Sequence, residues 1–215
     1  MKNIIIKNLK KFPWLYSFSK YLYINICQIS TFYKWKTLPS KNEVFLELGS
    51  GVNKKRDGWI TVDMYDADIN YDLRKGIPLP NNTVNKIYTS HMLEHIPYKQ
   101  LKIFINECYR VLKERGELLV SVPNARLYIA SYIQKKSFRK EENMYQPALI
   151  KTGSWIDQLN YIAYLDELHC YMFDEENLVN TLKLAPFSKV NLRSFDTKLD
   201  KSRRDFTSIY ASAIK

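Results

Sequence analysis

The stretch Val44–Gly51, "VFLELGSG", decides how the rest of the chain is read. It opens on a β-branched residue, stays mostly apolar through Leu48, and runs straight into Gly49-Ser50-Gly51. A short apolar run bounded by a turn fits a buried strand. Glycines directly behind it let the backbone approach a ligand with no Cβ in the way. Taken alone, the same glycines also make an ordinary strand-ending turn. The residues further along decide between the two.

Strand and helix signals alternate from Glu43 onward. "GWITVD" (58–63) is a second apolar run, ending on Asp63, and "NKIYTSH" (85–91) is another after the turn-rich "PLPNN". Pro97 suits a first helical turn, and Leu101, Phe104, Ile105, Cys108 and Leu112 form an apolar stripe behind it. Gly116 is expected to stop that helix, and "ELLVSV" follows as a strand cut off by Pro123. Asp174 is expected to cap "EENLVNTLKL", with Pro186 ending it. "KVNLRSF" and "FTSIYASAI" read as closing strands. The pattern predicts an α/β, Rossmann-like, seven-stranded and mostly parallel sheet, with helices on both faces and a C-terminal antiparallel hairpin.

The chain has 215 residues, enough for one domain and an appendage. Its net charge of +11 is uneven: residues 1–41 hold eight lysines and no acid, and the remaining 42–215 are close to neutral. The 1–41 segment is also rich in aromatics, among them Phe12, Trp14, Tyr21, Phe32 and Trp35. Such a segment suits either an anionic membrane surface or packing against the main domain. Residues 124–170, rich in tyrosine and lysine, read as an acceptor-side insertion or lid. Cys27, Cys108 and Cys170 show no CxxC pairing, so neither a disulfide framework nor a structural zinc site is expected. No secretory signal and no stretch of ~20 apolar residues is evident, and a cytoplasmic protein is expected, with peripheral contact at the membrane's inner face through residues 1–41.

In a parallel sheet, ligands bind outside the carboxyl ends of the strands. The glycine turn stands at one such end and Asp63 at the next, where a carboxylate accepts hydrogen bonds from ribose hydroxyls. Asp72, in "YDL" after a short third strand, is placed to accept from an adenine amino group. One glycine turn and two carboxylates describe an adenosine site. A dinucleotide fingerprint would need a third glycine after Gly51, and lysines with Arg56 occupy that stretch instead.

From Glu43 to Asn124 the sequence resembles the class I S-adenosylmethionine-dependent methyltransferases, through "FLELGSG", "GWITVD", "DLRKGIPLPNNTVNKIYTSHMLEHIP" and "LKIFINECYRVLKERGELLVSVPN". The ending, "HCYMFDEENLV" with "RRDFTSIYASA", is similar to a small bacterial branch that accompanies surface-polysaccharide synthesis. The resemblance implies S-adenosyl-L-methionine as cofactor. It places Glu47, Gly49, Ser50 and Gly51 around the methionine part, Asp63 on the ribose, Asp72 and Leu73 on the adenine, and Ser90 with His91 beside the sulfonium. Asp63 follows Gly51 by only twelve residues, so the first helix is expected to be short or reduced to a turn.

His169 is the first candidate to act as base or to orient the acceptor, with His95 and His91 of "HMLEH" behind it. "HMLEH" also resembles the ExxEH metal motif of certain ubiquinone-pathway and RNA-end O-methyltransferases. His91 replaces its first acid, and one Glu94-His95 pair makes no metal site alone, so no metal is expected, although His169 would complete one. The leading reading is O-methylation of a sugar, glycan or other small hydroxyl acceptor. The alternatives are RNA methylation, made unlikely by the near-neutral domain, and a non-catalytic scaffold that binds cofactor or docks on membrane.

Overall fold

Alternation of apolar residues along each strand determines which side of the sheet is packed. The computed structural model describes residues 31–40, 42–51, 56–136, 152–165 and 167–215. Expectations for residues 1–30, for 52–55 and for 137–151 fall outside the described residues. Seven strands, β1 (Phe45–Leu48), β2 (Trp59–Asp63), β3 (Ile69–Asn70), β4 (Val84–Ser90), β5 (Leu112–Pro123), β6 (Lys189–Leu192) and β7 (Ser208–Ile214), form one sheet. Their order is β3-β2-β1-β4-β5-β7-β6. Strands β1 to β5 pair in parallel, and β7 runs antiparallel to both β5 and β6. The chain moves outward from β1 to β3 and then returns to place β4 on the other side of β1. That reversal opens a crevice at the carboxyl ends of β1 and β4.

One face of the sheet carries Leu46, Leu48, Val62, Ile87, Leu118, Val120, Ala211 and Ala213, all fully buried. Helix α1 (Tyr98–Val111) lays Leu101, Phe104, Ile105 and Cys108 into the same cluster, and a later helix, Glu175–Leu182, adds Leu178 and Leu182. Burying one such aliphatic side chain stabilises by about 1.5–3 kcal/mol. Asp174 caps the later helix as expected, its Oδ1 accepting from the Asn177 N–H at 2.8 Å. Trp35 and Leu38 belong to this core as well. They follow from helical residues 31–37, where Thr31 Oγ1 and Lys34 Nζ donate to the Asn70 and Asp68 carbonyls beside β3. Residues 31–40 of the basic segment therefore pack on the sheet edge.

Gly116 does not stop α1. The helix ends at Val111, and Leu112 already pairs with Val84 across the sheet. The turn falls at Arg115, with φ of 63°, and a Cβ on Gly116 would lie 2.7 Å from the Lys113 carbonyl oxygen. Close approach of backbone to backbone, not helix termination, is what requires glycine there.

Between β5 and α4 (Glu175–Leu182) the chain forms α2 (Ala125–Gln134) and α3 (Asp157–Tyr164). Asn124 caps α2 through the Arg126 N–H at 3.0 Å. The two helices share a separate cluster of Ala125, Tyr128, Tyr161 and Ile162. Among the described residues no helix is long and apolar enough to cross a membrane.

The sheet's other face is polar and aromatic. The Arg56 guanidinium lies 4.4 Å from the Tyr88 ring centroid, and Tyr88 Oη donates to Asp200 Oδ1 at 3.1 Å. Arg193 grips the same carboxylate with Nη1 at 2.6 Å and Nη2 at 2.8 Å, in a pair that is nearly sealed from solvent. Replacing Asp200 with Ala leaves a buried guanidinium and a buried phenol without their acceptor, and should destabilise by about 3–5 kcal/mol. Glu117→Ala, which removes the more exposed Lys86–Glu117 pair, should cost no more than about 1 kcal/mol. Urea unfolding midpoints of the two variants measure the contrast, and equal midpoints would contradict it.

Candidate active site

The crevice is built from the turn that β1 runs into. Gly49 (φ 70°) donates its N–H to the Val62 carbonyl at 2.8 Å, and Gly51 (φ 59°) donates to Asp63 Oδ2 at 2.8 Å. The Met64 N–H reaches Asp63 Oδ1 at 2.6 Å. Asp63 thus ties the ends of two neighbouring strands, with its remaining lone pairs left to accept from hydroxyls. These groups border a cavity of about 360 Å³, lined also by Ser50, Tyr71, Asp72, Leu73, Arg74, Ser90, His91, Met92, His95, Ile96 and Arg204. Its volume falls within the ~300–1,000 Å³ of small-ligand sites.

The sequence-predicted cofactor residues Gly49, Ser50, Gly51, Asp63, Asp72, Leu73 and Ser90 all meet here. Glu47 is not among the lining residues. It is buried on the polar face, 3.5 Å from Arg56 Nη1, and burial pushes its carboxyl above the ordinary range. Asp72 caps the turn Leu73–Lys75, and Arg74 takes both its oxygens, Nε to Oδ1 at 2.9 Å and Nη2 to Oδ2 at 3.0 Å. Hydrogen bonding by Arg74 holds Asp72 below the usual carboxylate range. Tyr71, Met92, Ile96 and Arg204 are lining residues that the sequence did not single out. Tyr71 adjoins Asp72 and Met92 follows His91, so proximity to a motif was a usable signal for both. Arg204 comes from α5 (Ser202–Asp205), far along the chain from the glycine turn, and nothing local marks it.

A second cavity, of about 110 Å³, adjoins the first and shares His91, His95 and Arg204 with it. Glu94, Tyr128, Tyr161 and His169 complete much of its wall. All three predicted histidines therefore come together, with the His95 and His169 rings 5.0 Å apart. Their protonation follows from their partners. His95 Nδ1 lies 2.9 Å from the Leu168 carbonyl and His169 Nδ1 lies 2.8 Å from the Ile162 carbonyl. A carbonyl only accepts, so each Nδ1 carries a proton, and in the neutral ring the lone pair lies on Nε2. Ser208 Oγ donates to the Arg204 carbonyl at 2.7 Å, so His91 Nε2, 2.8 Å from that oxygen, must donate and leave its lone pair on Nδ1. Burial, aided by Arg204, holds His91 well below the ordinary imidazole value, and burial lowers His169 too. Glu94 is 2% exposed, neither of its oxygens has a hydrogen-bond partner, and burial pushes its carboxyl up to about 8.

Gly49 has a second constraint besides its φ. A Cβ there would lie 2.3 Å from Met92 Cγ and 2.6 Å from Met92 Cβ, whereas one on Gly58 (φ 79°) would meet nothing within 4 Å. Gly58→Ala should cost only the left-handed strain, about 1–2 kcal/mol. Gly49→Ala should cost more, because Met92 must also move. Denaturant midpoints of the two variants give the order, and an equal loss would remove the Met92 contact from the account.

Residues 46–120 match the family described as a methyltransferase domain. No curated protein matches the chain. Among solved structures, an S-adenosylmethionine-dependent methyltransferase from Archaeoglobus fulgidus is similar at 14% identity and a TM-score of 0.50, over 88% of this chain and 94% of that one. One from Mesorhizobium loti is similar at 12% identity and a TM-score of 0.50, over 80% and 90%. Both likenesses concern the fold. The stretch that matches the methyltransferase-domain family holds the glycine turn and Asp63, and it lies on the strands that border the crevice.

Proposed function

We propose that the protein is an S-adenosylmethionine-dependent methyltransferase that O-methylates a sugar, a glycan or a comparable small hydroxyl compound, whose reacting end enters the smaller cavity. The observation that carries this reading is the shared wall. A nucleoside-sized cavity and a small one lined by three histidines meet at His91, His95 and Arg204. Bound S-adenosylmethionine supplies a methyl group already activated by its sulfonium. The chain's task is then to position the acceptor, exclude water and remove a proton. Positioning can lower a barrier by about 7–11 kcal/mol.

In this reading the Gly49-Ser50-Gly51 turn receives the methionine part, Asp63 accepts from the ribose hydroxyls, and Leu73 packs on the adenine, near Asp72. Ser90 and His91 stand beside the sulfonium. His169 presents Nε2 to the acceptor hydroxyl, as base or as orienting group, and His95 is its neighbour. An amine acceptor needs no lone pair of this kind once it is neutral, whereas a hydroxyl gains about 10²–10⁴-fold from a positioned base. The lysines and aromatics of residues 1–41 support contact with an anionic membrane, where a lipid-linked sugar would be found. The near-neutral remainder supports a small acceptor over a nucleic acid.

Two variants separate cofactor binding from chemistry. Asp63→Ala should weaken S-adenosylhomocysteine about 10- to 100-fold by calorimetry, the loss of one or two hydrogen bonds to a charged group. His169→Ala should bind that compound normally and lose about 10²-fold or more in turnover of a sugar acceptor. Unchanged affinity in the first would take Asp63 out of the cofactor site. Unchanged turnover in the second would take His169 out of the mechanism.

A further inference from the structure

We propose that Glu94, His95 and His169 bind a divalent first-row transition cation in the wall of the smaller cavity. One ligand atom from each residue lies within 4.8 Å of the other two. Four-coordinate zinc, at about 2.0–2.1 Å from each nitrogen or oxygen, holds its ligand atoms roughly 3.4 Å apart. Small side-chain rotations close that difference, and the His95 Nε2–Glu94 Oε1 separation is already 3.9 Å.

Two independent features point to a ligand. The first is the Glu94 carboxylate, nearly sealed from solvent with both oxygens unpartnered. An ionised carboxylate in that position is strongly unfavourable without a counter-charge. His95 turns Nε2 toward Glu94 Oε1 at 3.9 Å. A cation held between the two would supply the counter-charge that the ionised carboxylate lacks.

The second feature is the outer support of the histidines. His95 and His169 each give Nδ1–H to a backbone carbonyl, which fixes the tautomer that leaves Nε2 as a lone pair. Metal-binding histidines are held in this way, since an outer hydrogen bond orients the ring and raises its basicity. Two imidazoles and one carboxylate suit zinc, manganese, iron or cobalt, whereas magnesium and calcium prefer oxygen ligands. The three side chains leave positions open toward the cavity. A bound cation would there orient the acceptor's oxygen, and His169 would then act through the cation as an orienting group and not as a base. The site's existence does not rest on which acceptor is methylated. This assignment departs from the sequence-based expectation of no metal, which named His169 as the residue that would complete a site.

The test is calorimetric titration of the full chain, freed of metal by chelator, with Zn²⁺, Mn²⁺ and Mg²⁺, and with Co²⁺ followed by its visible absorption. One equivalent of Zn²⁺ or Mn²⁺ should bind, Co²⁺ should develop d–d bands, and Mg²⁺ should bind far more weakly. His95→Gln and His169→Gln should each weaken the binding at least about tenfold and diminish the cobalt bands. His95 is 37% exposed, so its variant keeps the test sound even if a Glu94→Gln chain fails to fold. Absence of heat and of cobalt bands overturns the proposal, as does binding that neither histidine variant weakens. Affinity for S-adenosylhomocysteine, measured on the metal-free chain and on His169→Gln, should be retained in both. Loss of the cation with that affinity intact sinks the metal site alone.

Discussion

The hydrogen bond from the Gly51 N–H to Asp63 Oδ2 is the constraint on which the crevice depends. It fixes the glycine turn at the end of β1 against the end of β2, and the Met64 N–H holds the same carboxylate from the other side. A carboxylate bound by two backbone N–H groups is oriented before any ligand arrives, which removes part of the ordering cost of binding. The turn in turn lets Met92 approach Gly49 closely enough to line the cavity, a place that any Cβ would occupy. One carboxylate therefore sets both the polar contacts and the shape of the larger cavity.

Packing and chemistry are divided between the two faces and the carboxyl edge of the sheet. Continuous aliphatic burial against α1 and α4 anchors one face. The other is held by ion pairs and ring contacts around Arg56, Tyr88, Arg193 and Asp200, an arrangement that fixes position more than it adds stability. Burial pushes the Tyr88 phenol up to about 12, so it stays a neutral donor to Asp200 at physiological pH. The titratable histidines and the buried Glu94 carboxylate line the smaller cavity, apart from both packed faces.

Much of this was legible in the sequence because it rests on local pattern. Short apolar runs bounded by turns marked the strands, the Leu101–Cys108 stripe marked α1, and the strand-ending glycines and acids marked the larger cavity. Alternation along β1 puts Glu47 on the face opposite Leu46 and Leu48, a step that reading an apolar run alone does not take. Gly116 misled because glycine at a helix end and glycine at a backbone crossing look alike in one dimension. The pairing of Asp72 by Arg74, two residues on, required a side-chain direction that spacing does not supply. Arg204 and the union of His169 with Glu94 and His95 depend on long-range folding, and no local signal carries them.

His91 shows how the two cavities are kept distinct yet adjoining. Its φ of 54° is a left-handed conformation that costs an L residue about 1–2 kcal/mol, though histidine tolerates it better than most. The structure over-determines it: the backbone N–H donates to the Ser121 carbonyl at 2.9 Å and the ring donates to Ser208 Oγ. With ordinary strand geometry at residue 91 the side chain would continue the alternation of β4. The left-handed turn instead swings the ring off the strand and into the partition, where it borders both cavities. Strain that persists only because β5 and β7 hold it in place is spent on geometry, and the geometry it secures is the partition between the two cavities.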